Sequence, residues 1–304
     1  MKIGVNCAAV KKTLQTFIGD KKGITITIKD ALAFLKKAGY EYVDFGFGIY
    51  PNEMPDEEFY NEIASIKAYL DEIGMKISQT HGRTGYPKLT TQEIFERAVK
   101  EIKATAMLGC KYTVIHPLRT PKSNYNGEEE KRKAENLEFF NNLKPYLQEY
   151  DVVECIENLF GNDLERNICA PNTCSKPEEI LYYLENLYSD RFGVCFDTGH
   201  MLLTGDITGD TVDGALQKLG KYVKVLHVHD NDKVKDKHYP PFMGYIDWKK
   251  FYSTVKEIDY KGVVSMEITP YKILPNPNEF ALLEFFKFVK KLADFESIFE
   301  GDGQ

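Results

Sequence analysis

The chain has 304 residues, of which 43% are hydrophobic and 28% are charged, so it is long enough for one large barrel domain with a sizeable core. Its formal net charge of −7 gives no overall attraction to nucleic acid or to an anionic membrane, although a local basic patch is not excluded. No segment has the run of about 18 apolar residues that a membrane span needs, and the N-terminus has no signal-peptide pattern. We therefore expect a cytoplasmic protein.

Eight short apolar runs with the composition of buried strands alternate with helical stretches. The predicted strands are residues 3–10, 42–47, 75–80, 112–115, 152–156, 192–196, 223–228 and 263–266. The clearest predicted helices are residues 28–39, 56–73, 128–150 and 278–293. Alternating strands and helices predict a parallel sheet with right-handed crossovers.

Eight such units fit a closed barrel better than an open doubly wound sheet. The predicted fold class is therefore α/β, a single (β/α)8 TIM barrel with its active site at the C-terminal ends of the strands. No change of composition marks a second domain, so residues 1–304 are predicted to form one domain, with a frayed tail over residues 295–304.

The six cysteines contain no CxxC pair, and three of them lie in apolar, strand-like runs. The spacing of Cys169 and Cys174 matches no common metal site. We interpret the cysteines as structural thiols in a reducing compartment.

Six predicted strands end in a group that can bind a metal, and three more such groups follow in adjoining loops. At the strand ends these are His81, His116, Glu157, Asp197, His229 and Glu267, and in the loops they are His200, Asp236 and His238. Strand ends converge on one rim of a parallel barrel, so these groups are expected to meet in space. Mixed carboxylate and imidazole ligands suit one divalent ion, namely Mn, Mg, Co or Zn.

Each residue also has a simpler explanation on its own. His81 or His116 can be a packed loop histidine, Asp197 can cap the turn that follows it, and Asp236 can be a solvated loop residue. His227 and His229 share one face of a strand, so only one of them need be functional while the other packs lower in the barrel. Nine such separate explanations nevertheless do not account for why all nine groups fall at strand ends or in the adjoining loops.

These residues resemble the xylose isomerase-like TIM barrel superfamily, which holds sugar isomerases and epimerases together with endonuclease IV. The similarity covers nearly the whole chain and is carried by Ile-Glu-Asn at 156–158, Phe-Asp-Thr-Gly-His at 196–200, His-Val-His-Asp-Asn at 227–231, Asp-Lys-His at 236–238 and Met-Glu at 266–267. It implies a four-ligand metal site made by Glu157, Asp197, His229 and Glu267. It also implies that Glu157 and Glu267 move a substrate proton and that His200 contacts the substrate.

The resulting hypothesis is a metal-dependent isomerase or epimerase of a sugar, sugar phosphate or cyclitol, acting by proton transfer through an enediolate. Glu157, Glu267 and His200 are its expected catalytic residues. His81, His116, Arg119 and Lys235 are its expected substrate contacts. A homo-oligomer is expected because barrels of this group often cover part of the rim with a neighbour.

Three rival functions remain open. The endonuclease IV branch uses further ligands for three zinc ions, and His81, His116, His200, Asp236 and His238 fall where those ligands would lie. The chain would then carry two or three Zn and cleave phosphodiesters in abasic DNA, although its acidic charge argues against a nucleic-acid partner. A metal-dependent dehydratase or lyase is the second rival, and a sugar-binding scaffold subunit without turnover is the third.

Overall fold

A computed structural model describes residues 1–83, 89–119, 127–163 and 168–301. The strands found in these ranges are β1 (Lys2–Asn6), β2 (Tyr42–Gly46), β3 (Lys76–His81), β4 (Tyr112–Val114), β5 (Val153–Glu157), β6 (Gly161–Asp163), β7 (Ile168–Ala170), β8 (Phe192–Asp197), β9 (Val223–Val228) and β10 (Val263–Met266). Eight of these described strands form a closed parallel barrel in the order β1-β10-β9-β8-β5-β4-β3-β2. The predicted TIM barrel is therefore confirmed.

Helices cover the outside of the barrel. They are α1 (Cys7–Leu14), α2 (Asp20–Lys22), α3 (Ile28–Lys37), α4 (Asp56–Ile73), α5 (Thr91–Met107), α6 (Glu129–Glu149), α7 (Pro177–Leu187), α8 (Thr198–Thr208), α9 (Val212–Leu219), α10 (Trp248–Glu257), α11 (Glu279–Leu292) and α12 (Phe295–Glu300). Shorter helical segments are Gln15–Gly19, Phe47–Ile49, Gly220–Tyr222 and Pro270–Lys272. No helix in the described ranges is long and apolar enough to cross a membrane.

Two hydrophobic layers hold the barrel together. The larger one fills the space between the strands and the helices, and includes Leu35, Phe45, Phe196 and Phe286, all fully buried or nearly so. A smaller cluster lies inside the barrel, where Val114, Cys155 and Val225 are among its members. All six cysteines fall in the described ranges, and each is buried and not part of a disulfide.

The first strand is shorter than the sequence predicts. The prediction extends it to Val10, whereas β1 ends at Asn6 and helix α1 begins at once. The side chain of Asn6 explains the change, because its Oδ1 accepts a hydrogen bond of 3.0 Å from the Ala9 N–H and caps the helix. The prediction that Cys7 lies in a strand-like run is therefore also wrong.

The C-terminal segment is ordered where fraying was predicted. Residues 295–300 form helix α12, and Phe295 is fully buried. Its ring stacks on Trp248 with the centroids 5.2 Å apart, so α12 closes over the start of α10. The prediction of a frayed tail is wrong for these residues, while residues 302–304 lie outside the described ranges.

Replacing Phe295 with alanine should lower the free energy of unfolding by about 3 kcal/mol, because it leaves a cavity beside Trp248. Chemical denaturation followed by circular dichroism measures this loss. Phe280, which is 72% exposed, offers a matched control: its replacement with alanine should change the free energy by less than about 0.5 kcal/mol. Equal effects at the two positions would contradict the packing described here.

Candidate metal centre

A cavity of about 400 Å³ lies at the C-terminal ends of the barrel strands. Its volume is in the range of small-molecule sites. Eight of the predicted site residues line it: His81, His116, Arg119, Glu157, His200, Asp236, His238 and Glu267. These eight side chains, which the sequence predicts to meet at one rim of the barrel, therefore surround a single cavity.

Glu157, the last residue of β5, lies at the centre of the group and is 1% exposed. Its Oε1 lies 2.9 Å from His227 Nδ1. Its Oε2 lies 2.7 Å from His116 Nε2 and 3.5 Å from His81 Nε2. His200 Nδ1 lies 3.5 Å from Oε1, so four imidazoles surround this single carboxylate.

His227, rather than His229, shares a group with the three predicted carboxylate ligands. One ligand atom each of Glu157, Asp197, His227 and Glu267 lies within 4.8 Å of the others. His227 Nδ1 lies 3.3 Å from Glu267 Oε2 and 4.0 Å from Asp197 Oδ2. The sequence prediction chose His229 for this position. Side chains two residues apart in a strand face the same side, and only their depth, which a sequence does not give, separates them.

His229 instead belongs to a second group with His200, Asp236 and His238. Its Nε2 lies 3.0 Å from Asp197 Oδ1, and its ring stacks on that of His238 with the centroids 4.1 Å apart. His238 Nε2 lies 2.6 Å from Asp236 Oδ2. Asp236 and His238 therefore line the cavity, His238 being buried and Asp236 half-buried.

The turn after β8 positions residues of both groups. Asp197 ends the strand and caps helix α8, since its Oδ1 accepts a hydrogen bond of 2.7 Å from the His200 N–H. Gly199 is required for space, because a Cβ there would lie 2.0 Å from His229 Cε1. Asn158 ties the end of β5 to this turn by accepting from the Asp197 N–H at 2.7 Å and donating to the Asp197 carbonyl at 2.8 Å.

Charge attraction outweighs burial for the two glutamates. Burial favours their neutral forms, but His227 and His116 hold the pKa of Glu157 well below its usual range. Burial is likewise outweighed at Glu267, where His227 and His238 lower the pKa to about 2. For His227, burial favours the neutral ring, yet the acidic groups around it raise its pKa well above the usual value. The two glutamates are therefore ionised beside these imidazoles.

Several buried atoms suit a cation rather than a hydrogen bond. Glu157 Oε2, His116 Nε2 and His229 Nδ1 are buried and have no hydrogen-bond partner in the described structure. His116 Nε2 and Glu157 Oε2 lie 2.7 Å apart without the angles of a hydrogen bond. Nitrogen and oxygen atoms with free lone pairs are the donors that Zn²⁺ or Mn²⁺ takes, and the grouped His, Asp and Glu side chains fit such an ion.

Two predicted substrate contacts differ in position. Arg119 lines the cavity, and its guanidinium donates to the Phe160 carbonyl and lies 6.0 Å from the centre of the Phe160 ring. Lys235 is exposed and is not among the cavity-lining residues of the described chain. Asp232 explains the orientation of that loop, because its Oδ1 accepts from the Lys235 backbone N–H at 2.7 Å.

The model of the family described as "Xylose isomerase-like TIM barrel" matches residues 32–292. The chain belongs to the xylose isomerase-like TIM barrel family. The resemblance found in the sequence is therefore confirmed, together with the fold that it implies.

Curated relatives of this family member are distant and match part of the chain. A "Probable endonuclease 4" of Metamycoplasma arthritidis is 27% identical over 183 residues, which span 57% of this chain and 61% of that protein. "Uncharacterized protein MJ1311" of Methanocaldococcus jannaschii is 27% identical over 202 residues, spanning 66% of this chain and 64% of that protein. The matched region thus covers about three fifths of the length of these relatives.

Solved structures match the fold over almost the whole chain. A D-tagatose 3-epimerase-like protein has a TM-score of 0.70 at 16% identity and covers 97% of this chain and 99% of its own. The IOLI protein with a bound zinc atom has a TM-score of 0.68 at 18% identity, with both chains covered completely. At these identities the likeness shows the shared barrel.

Replacing His227 with glutamine should weaken Mn²⁺ binding by the metal-free protein at least about 100-fold, because it removes the one nitrogen ligand of the group that also contains three carboxylates. Replacing His229 with glutamine should weaken the same binding much less. Competition with a fluorescent chelator measures both affinities. A larger loss at His229 would contradict the placement of His227 and restore the ligand set predicted from the sequence.

Proposed function

We propose that the protein is a divalent-metal-dependent isomerase or epimerase of a sugar, a sugar phosphate or a cyclitol. The observation that carries this proposal is the pair Glu157 and Glu267. Both carboxylates line one cavity of monosaccharide size, and both lie within 3.3 Å of His227 Nδ1. Two ionised carboxylates that flank one small substrate can remove a proton at one position and return it at another.

Glu157, Asp197, His227 and Glu267 would hold the cation. When bound, a divalent cation in this place would stabilise the negative charge that develops on the substrate oxygens. The chain's own residues would do the rest of the chemistry. We assign the catalytic role to Glu157 and Glu267, one removing the proton from the carbon next to the carbonyl and the other returning a proton to the enediolate.

Histidines around the cavity would orient the hydroxyl groups of the substrate. His200 Nδ1 lies 3.0 Å from the Asn158 carbonyl, which fixes its ring. His81 Nδ1 lies 2.9 Å from the Gly82 carbonyl, which fixes that ring as well. With Nδ1 of His200 as the donor, its Nε2 is left with a lone pair that can accept a hydrogen bond from a sugar hydroxyl.

Arg119 would bind an anionic group of the substrate. It is the only Lys or Arg among the described cavity-lining residues, and within the described ranges it has no carboxylate partner within 4.0 Å. Its contact with the Phe160 ring and carbonyl holds the guanidinium beside the cavity. Planar guanidinium donors match phosphate or carboxylate oxygens. This position favours a sugar phosphate or a sugar acid over a neutral sugar.

A zinc phosphodiesterase acting on abasic DNA is the second candidate. The group formed by His200, His229, Asp236 and His238 favours it, since it provides ligands for a further ion beside the first group. The partial similarity to proteins named as probable endonuclease 4 favours it too. The acidic chain argues against it, because binding to a duplex relies on Lys and Arg contacts to phosphates.

Replacing Glu157 with glutamine should slow the exchange of a substrate carbon-bound proton in deuterated water by about 100- to 10,000-fold, since it removes an acid–base group. Proton NMR of ketoses and ketose phosphates incubated with the Mn²⁺-loaded protein measures the exchange. Glu154 provides the control, because it is buried on the same strand but does not line the cavity, and its replacement with glutamine should leave the rate within about threefold.

Unchanged exchange in the Glu157 variant at equal metal content would contradict the acid–base role. Zinc at two or three ions per chain, combined with cleavage of abasic DNA and no exchange on any ketose, would favour the phosphodiesterase instead.

Replacing Arg119 with glutamine should raise KM for the anionic substrate by about 10- to 100-fold, because a charge-assisted hydrogen bond contributes about 1.5–3 kcal/mol. KM for the corresponding neutral sugar should change little. Replacing the exposed Lys235 with glutamine should affect neither substrate, since that side chain lies outside the cavity lining. Steady-state kinetics on both substrates tests this, and a large effect at Lys235 alone would contradict the assignment.

A further inference from the structure

The loop that follows β9 carries two of the cavity-lining residues, Asp236 and His238. It spans residues 231–238 and is closed at its base, because Asp230 and Tyr239 exchange two backbone hydrogen bonds of 2.7 and 2.9 Å. Both side chains therefore depend on a loop, and not on a strand, for their place beside the cavity. The contacts that hold this loop in shape decide whether the two side chains reach the cavity.

Asn231 is fully buried at the start of this loop and contacts its returning arm. Its Oδ1 accepts hydrogen bonds from the backbone N–H groups of Lys237 at 2.5 Å and His238 at 3.2 Å. Its Nδ2 donates to Asp236 Oδ1 at 3.4 Å. One amide side chain thus holds three consecutive residues of the returning arm.

His238 needs such support, because its backbone is in a left-handed conformation. Its φ angle is 52°, in a region that favours glycine. A residue other than glycine keeps this conformation only where its surroundings fix it, and such residues are concentrated at functional sites. Three groups fix it here: Asn231 Oδ1 on its N–H, the Thr269 N–H on its carbonyl at 3.3 Å, and the Glu267 carbonyl 2.6 Å from its ring Nδ1.

We propose that Asn231 is a positioning residue of the second group, formed by His200, His229, Asp236 and His238: it fixes the loop so that Asp236 and His238 reach the cavity as a pair. His238 Nε2 lies 2.6 Å from Asp236 Oδ2, while the other oxygen of Asp236 accepts from Asn231. Side chains that orient metal ligands in this way commonly change the affinity for the ion. This inference rests on the divalent-ion chemistry of the proposed function, but it does not depend on the identity of the substrate.

A second polar side chain shapes a different part of the same loop. Asp232 Oδ1 accepts from the backbone N–H groups of Val234 at 2.9 Å and Lys235 at 2.7 Å, both of which are exposed at the tip. Towards the returning arm, Asp232 faces the Lys237 ammonium group, 3.8 Å away. Asp232→Ala therefore loosens the tip of the loop without removing the contacts of Asn231, and it is the matched control for Asn231→Ala.

The experiment measures ion binding and needs no substrate. Metal-free wild-type protein and the variants Asn231→Ala, Asp232→Ala and His238→Gln are titrated with Zn²⁺ in competition with a chromophoric chelator, and bound zinc is counted by elemental analysis. His238→Gln identifies the ion of the second group, because it removes one of the ligands. Asn231→Ala should weaken the binding of that same ion by about 10- to 100-fold. Asp232→Ala should leave its affinity within about threefold of the wild-type value.

Equal losses in Asn231→Ala and Asp232→Ala would overturn the positioning role, because they would show only a general need for an ordered loop. Wild-type affinity in Asn231→Ala would overturn it as well. A wild-type protein that binds one zinc ion which His238→Gln does not weaken would overturn this inference and leave the metal site of the proposed function intact. A wild-type protein that binds no divalent ion would overturn the proposed function too.

Should Asn231→Ala not fold, hydrogen exchange of the metal-free wild-type protein decides the same question. The backbone amides of Lys237 and His238 should exchange slowly without any ion, because Asn231 Oδ1 accepts from both. Nitrogen-15 NMR of the backbone measures these rates. Exchange that is fast in the metal-free protein and slows only when Zn²⁺ is added would overturn the proposal, since the ion and not Asn231 would then order the loop.

Discussion

The burial of several carboxylates in a small volume is the constraint on which the rest of this site depends. Glu157 and Asp197 are almost completely removed from water, and Glu267 is 17% exposed at its side chain. Ionised groups in such surroundings are tolerated only beside compensating positive charge or strong hydrogen-bond donors. His227, which lies 2.9 Å from Glu157 and has a raised pKa, meets part of that need, and a divalent cation would meet it more completely. The residues that surround the carboxylates are thus explained by electrostatics before any reaction is considered.

The barrel makes this concentration of charge achievable. The candidate ligands lie at or next to the C-terminal ends of different strands, and Glu157, Asp197 and His227 are each paired with a residue of a neighbouring strand. The apolar layers below and around the strands stabilise the fold, while the polar groups are confined to one rim. Substitutions far from the rim, such as those near Phe295, are therefore expected to affect stability and not the chemistry.

Much of this arrangement could be predicted from the sequence, because strand ends carry a readable signal: a short apolar run followed by His, Asp or Glu. The eight strands, the fold and the position of seven of the nine polar residues around one cavity follow from that pattern. The sequence leaves open which of His227 and His229 is the metal ligand, since a strand repeat of two residues places both on one face and does not give their depth.

Two further differences between the prediction and the structure each have an identifiable cause. The first strand ends early because a single asparagine caps the helix behind it. The last segment is ordered because Phe295 packs on Trp248, which lies 47 residues earlier in the chain and in another helix. The contact between Phe295 and Trp248 joins residues that are distant in the sequence, so the composition of the C-terminal segment does not predict it.

The position of Asp197 between the two groups affects how metal ions would bind to them. Its Oδ2 lies 4.0 Å from His227 Nδ1 in the first group, and both of its oxygens lie about 3 Å from His229 Nε2 in the second. A carboxylate shared in this way makes the two groups thermodynamically linked, because an ion held on one side changes the charge that is met on the other. Such linkage is reciprocal, so each ion would alter the affinity for its neighbour by the same factor. Binding of ions to the two groups would then be cooperative. The cooperativity would be negative if repulsion between the cations exceeds the free energy gained by ordering their common ligand, and positive if it does not.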